Sequence, residues 1–216
     1  MDRISDITMD SFAGALYFPT FIFSIQCAQE EELNSYLLNL IYNERTKDRM
    51  GIQRSNYKQL GGWHSKNSLH RDVVFGPIIQ RINQAGKRIS EHFGYDPNKQ
   101  LHIDAMWSII NPPGSSNKVH IHPNCLWSGV YYVQAPADSG HIEFVDPRTC
   151  HVMTEPSFDS RKKRQRETWT KVSYAPKAGK MLIFPSWLYH GVDPNLSQLT
   201  DSHADRVILS FNLCQR

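Results

Sequence analysis

The sequence predicts a mainly β protein of the sandwich, jelly-roll or barrel type, supported by helices in its N-terminal half. Three observations carry that expectation. From Leu101 onward, short β-prone runs recur at even spacing, each bounded by Gly, Pro, Asn or Asp. Ahead of them, two segments repeat apolar residues at helical spacing. Finally, a chain of 216 residues, 40% hydrophobic and 21% charged, suits one domain spanning 1–216 that buries a core without cross-links.

The elements follow in order. Residues 13–26 are apolar and aromatic and read as a strand interrupted by Pro19. Residues 30–42 place Leu33, Leu37, Leu40 and Ile41 behind an acidic first turn, which predicts a helix. A Gly-rich loop covers 59–65. A second helix is expected over 77–93, with Ile78, Ile82 and Ile89 on one face and Gly94 at its C-cap. A strand is expected over 101–110, then a turn over 111–116. Further strands are expected around His120 and over 128–133, 140–145, 168–174, 180–184 and 206–213. Residues 151–167 are polar and charged and read as a mobile excursion between strands.

Several function classes fall away at this level. Cys27, Cys125, Cys150 and Cys214 contain no Cys-x-x-Cys pair, so neither a zinc knuckle nor a disulfide framework is expected. The net charge of +3 depends on the run 161–166, which holds five of the 24 basic residues; the remainder carries −2. That balance argues against a nucleic-acid surface, and the run itself reads as a solvated loop. There is no Gly-x-Ser-x-Gly elbow and no phosphate loop. With no long apolar stretch and no signal-peptide pattern, the expectation is a cytoplasmic protein that does not engage a membrane.

The chemistry sits in the second half. His120 and His122, at i and i+2 on extended backbone, project from one face. His190 follows the apolar run 179–186 and is placed to supply a third imidazole. Imidazole is a preferred donor for iron, zinc and copper, and three facial ligands leave open positions on a metal. The blander reading is a set of core histidines bonded to carbonyls. Arg206 weighs against it: this cation opens the apolar run Val207-Ile208-Leu209, where a buried cation needs an anion to pair with.

The pieces Tyr17-Phe18-Pro19-Thr20, Gly62-Trp63-His64-Ser65, Trp107-Ser108-Ile109-Ile110-Asn111 and His120-Ile121-His122-Pro123 make a recognisable series. Ser128-Gly129-Val130-Tyr131-Tyr132-Val133, Ser139-Gly140, Asp146-Pro147-Arg148, His190 and Arg206 complete it. The series resembles the 2-oxoglutarate/Fe(II) oxygenases related in fold to prolyl 4-hydroxylases. The resemblance implies a double-stranded β-helix (jelly roll) with supporting N-terminal helices. It implies Fe(II) held by His120, His122 and His190. It implies 2-oxoglutarate as cosubstrate, bound by Arg206, Tyr132 and Asn111, with a small-molecule or amino-acid-type substrate hydroxylated. Ser128 and Val130 share the strand face of Tyr132.

The chain departs from the wider superfamily at His122, where Asp is usual, and at Ile208, where many relatives carry a serine; Ser210 lies on the same face. A carboxylate from Asp104, Asp146 or Asp193 is an alternative third ligand. A three-His dioxygenase that needs no oxo acid, and a β-sandwich binding module with a structural metal, are the competing classes. Arg148 reads as a turn partner of Asp146, Trp63 and His64 as either mouth or packing residues, and Cys125 as a bystander.

Overall fold

The computed structural model describes residues 14–52, 61–148 and 153–215. Two antiparallel sheets pack face to face, with two helices on the outside of the larger one. In chain order the elements are β1 (Phe23–Gln26), α1 (Glu30–Lys47), β2 (Trp63–His64), α2 (Gly76–Phe93), β3 (Leu101–Asn111) and β4 (Asn117–His120). Then come β5 (Trp127–Gln134), β6 (Ile142–Val145), β7 (Lys171–Tyr174), β8 (Lys180–Pro185), β9 (His190–Val192) and β10 (Arg206–Gln215). The six-stranded sheet runs β1-β8-β5-β10-β3-β2 and the four-stranded sheet runs β4-β9-β6-β7. This is the jelly-roll arrangement expected of a double-stranded β-helix.

Strand alternation builds two cores. On β10, Val207, Leu209, Phe211 and Leu213 face the helices and join Leu37, Ile41, Ile78 and Ile82. Between the sheets, Ile208 joins Trp107, Ile109, Val130, Tyr132, Ile142, Phe144, Leu182, Phe184 and Leu188. The central strands are therefore covered on both faces.

Most expected elements appear within a residue or two, and the differences have causes. The 13–26 strand shrinks to Phe23–Gln26. Pro19 has no N–H for a ladder, and Phe18 sits at φ 57, outside the extended region. Helix α1 runs five residues past its expected end at 42, to Lys47, where Arg45 and Lys47 complement the C-terminal dipole. Gly94 caps α2 at φ 65, as expected. The expected Gly-rich loop ends in a two-residue strand, because Trp63 and His64 pair with Ile110 and Ile109 of β3; residues 59–60 lie outside the described residues. The short strand β9 has no pattern of its own and exists because its register joins β4 to β6. Of the 151–167 excursion, residues 153–167 are described, largely exposed and without a strand.

Candidate metal centre

Three imidazoles converge in the cleft between the sheets. His120 ends β4 and lies directly across the ladder from His190, the first residue of β9. His122 is brought alongside by its backbone N–H, which donates to the Ser186 carbonyl at 2.9 Å. Ring centroids stand 4.4 Å apart for His120 and His190, 5.0 Å for His120 and His122, and 5.2 Å for His122 and His190. One potential ligand nitrogen from each ring lies within 4.8 Å of the other two. The Nε2 atoms of His122 and His190 are 3.3 Å apart.

The donor chemistry fits a metal. A carbonyl only accepts, so Nδ1–H of His120 donates to Lys118 O at 2.7 Å and Nδ1–H of His190 to Leu188 O at 2.8 Å. Those bonds leave each Nε2 with its lone pair facing the cluster, where that of His190 meets Nε2 of His122. Burial first, then neighbouring His120, lowers His190 to about 3, and burial lowers His120 as well. Both rings are thus held neutral, the form that ligates. Two nitrogens at about 2.1 Å from one ion and at right angles would stand roughly 3.0 Å apart, close to the spacing found here.

No carboxylate joins the group among the described residues. Asp104 clusters instead with Cys125 and Cys214. Asp146 accepts Arg148 Nη2 at 2.7 Å, making the turn pair expected for that arginine. Asp193 presents its backbone carbonyl to Arg206 at 3.2 Å. The candidate ligand set is therefore all nitrogen.

The three rings open into a cavity of about 540 Å³ whose lining includes Tyr132, Arg206, Ile208 and Ser210. Arg206, the first residue of β10, is 1% exposed. Its Nη1 donates to the carbonyls of Ser139, Gly140 and Asp193. Its buried Nη2 has no partner among the described residues. Burial lowers this guanidinium to about 10, with Tyr132 and the Asp193 charge pulling the other way, so it stays charged at neutral pH in its cradle of carbonyls. A buried donor left unpaired is costly, and costlier on a charged group. Tyr132 lies in the same electrostatic neighbourhood, and burial raises its phenol, which keeps the O–H as a donor.

Other sequence candidates divide. Val130 lines the cavity with Tyr132, whereas Ser128 bonds Ser186 and Asn212 behind the wall. Asn111 lies opposite Arg206 in the ladder, but its amide donates to Asn117 and it does not line the cavity. Trp63 packs into the core with its indole N–H on Asp48 O at 2.7 Å. His64 does reach the cavity and stacks on Trp107, which in turn stacks on His122. Sequence reasoning missed Trp107 as a support for a ligand ring, and missed Asn67 and Asn212 in the lining. Asn212 was findable, since it continues the same strand face as Arg206; Asn67 carries no signal.

The fold and cavity define a double-stranded β-helix protein with a candidate three-imidazole centre. The chain belongs to the family whose model is described as "Putative 2OG-Fe(II) oxygenase", matched over residues 105–212, half of its length. It is accordingly an enzyme of the Fe(II)/2-oxoglutarate oxygenase class. Among solved structures, it is similar to a Pseudomonas putida prolyl-4-hydroxylase, with TM-score 0.61, 12% identity, and 90% and 92% of the two chains covered. It is also similar to a viral collagen prolyl hydroxylase from Paramecium bursaria Chlorella virus-1 (TM-score 0.55, 14% identity, 89% and 94% covered). A third likeness is HygX from Streptomyces hygroscopicus, with nickel and 2-oxoglutarate bound (TM-score 0.56, 12% identity, 90% and 83% covered). At these identities the likeness establishes the fold. No curated protein sequence matches.

Proposed function

We propose that this chain, as one domain, hydroxylates a small-molecule or amino-acid-type substrate with Fe(II) on His120, His122 and His190 and 2-oxoglutarate on Arg206. One observation carries the reading: a buried guanidinium N–H, unpaired among the described residues, shares a cavity with three clustered imidazoles. A dicarboxylate with an oxo acid at one end answers both needs, because one end chelates a metal and the other pairs with a guanidinium.

When bound, the iron and 2-oxoglutarate supply the oxidation, with dioxygen, that releases succinate and carbon dioxide and hydroxylates a C–H bond. The protein's own residues bind and orient. Carbonyls of Ser139, Gly140 and Asp193 fix Arg206 so that Nη2 points at the arriving carboxylate. Tyr132, held protonated, offers a second donor to the same group. Trp107 and Phe184 pack against His122 and His190 and hold the rings in place. Val130, Ile142 and Ile208 line the cavity with hydrocarbon and keep water from the reacting centre. The cavity is of small-ligand size.

The test is iron stoichiometry and succinate release. The parent should bind one Fe(II) per chain and form succinate from 2-oxoglutarate under dioxygen. His120→Ala and His190→Ala proteins with parental circular dichroism should lose the iron. Folded variants that retain it would refute the ligand assignment. The all-nitrogen ligand set favours one second reading, a three-His dioxygenase without an oxo acid; iron binding unaffected by Arg206→Ala, with no response to 2-oxoglutarate in the parent, would select it.

A further inference from the structure

A second cluster of metal-ligating side chains lies outside the histidine cavity. On β10, Arg206, Ile208, Ser210 and Asn212 form the inner row that lines that cavity, and Cys214 is the next residue of the same row. Its Sγ is 3.3 Å from Sγ of Cys125 and 3.4 Å from the carbonyl oxygen of Asn124. One ligand atom each from Cys125, Cys214 and Asp104 lies within 4.8 Å of the others. The loop that carries Cys125 is anchored to β10 by the Leu126 N–H on Leu213 O at 3.0 Å. Asn124 adopts φ 67, a left-handed conformation, and its carbonyl accepts the Cys214 S–H.

We propose that Cys125, Cys214 and Asp104, with the Asn124 carbonyl as an available fourth donor, form a binding site for a soft divalent cation of the zinc class. Two thiolates and a carboxylate form a donor set suited to such an ion, quite unlike the all-imidazole set next door. Binding releases two thiol protons to solvent, and the two thiolates with the carboxylate outweigh the dication by one negative charge. Asp104 is exposed, so an ion reaches the cluster directly from water.

Two sulfurs about 2.3 Å from a tetrahedral zinc stand roughly 3.8 Å apart, so the 3.3 Å pair need open by only about half an ångström to hold the ion.

Cobalt(II) is the probe, titrated anaerobically into reduced protein. The expected result is a near-ultraviolet thiolate-to-cobalt charge-transfer band that saturates within two equivalents, because the histidine centre also takes cobalt, and within one equivalent in His190→Ala. The band should persist in His190→Ala, which keeps this reading independent of the histidine centre. It should vanish in Cys214→Ser, and Asp104→Asn should weaken the ion on the order of ten- to a hundredfold. Because Cys214 is partly buried, Cys125→Ala provides a second test should Cys214→Ser misfold. No thiolate band in His190→Ala, or none in the parent after more than two equivalents of cobalt, would overturn the proposal. So would a Cys125–Cys214 disulfide that forms in the presence of the ion.

Discussion

The two faces of β10 are both buried, yet they are built on opposite rules. Toward the helices the strand presents Val207, Leu209, Phe211 and Leu213, a continuous apolar row in the main core. Toward the smaller sheet it presents Arg206, Ile208, Ser210 and Asn212, three of them polar, around a cavity. The apolar row stabilises by transfer and close packing. The other row spends stability, since a guanidinium 1% exposed with one unpaired N–H is costly to bury. A strand that accepts this cost on one face only marks that face as the one with chemistry.

The comparison predicts a clean division of mutational effects. Phe211→Ala should cost about 3–5 kcal/mol of stability, read by denaturant unfolding, while the protein that remains folded binds 2-oxoglutarate as before. Arg206→Ala should strike binding instead. It should lower 2-oxoglutarate affinity by about 2–5 kcal/mol, seen by calorimetry, with a stability loss of its own because the carbonyls of Ser139, Gly140 and Asp193 lose their donor. If both substitutions affect both quantities alike, the division fails.

Gly140→Ala sharpens the account at one atom. At φ 88, an added Cβ would lie 2.7 Å from Arg206 Nη1 and 2.3 Å from the Asp193 carbonyl oxygen, so the guanidinium must shift. Affinity for 2-oxoglutarate should fall on the order of tenfold with iron binding intact, measured by parallel titrations. Metal-free protein offers a smaller effect with a definite sign. His190 is lowered to about 3 in the native state, so below its ordinary value the unfolded chain holds a proton that the native chain does not. Stability is full above about pH 6.5 and falls with pH toward about 3 by up to roughly 1.4 kcal/mol per unit. His190→Asn should remove that contribution in paired pH-dependent unfolding curves.

The sequence carried one kind of information well. His120, His122 and Arg206 were legible because period-2 geometry and an isolated cation in an apolar run are local signals. Helices α1 and α2 were legible for the same reason. What was hidden depends on register. Nothing near His190 marks β9 as a strand; its pairing with β4 and β6 does. The Trp107 stack beneath His122 joins residues from two different sheet regions. Asn111 shows the converse. It sits opposite Arg206 in the ladder, yet its amide turns to Asn117.

The most direct test is an anaerobic titration of Fe(II)-loaded protein with 2-oxoglutarate, followed by visible absorption. The account predicts a metal-to-ligand charge-transfer band in the parent, with Arg206→Ala requiring far more 2-oxoglutarate to produce it. One tightly bound iron per chain and no band at any 2-oxoglutarate concentration would contradict it.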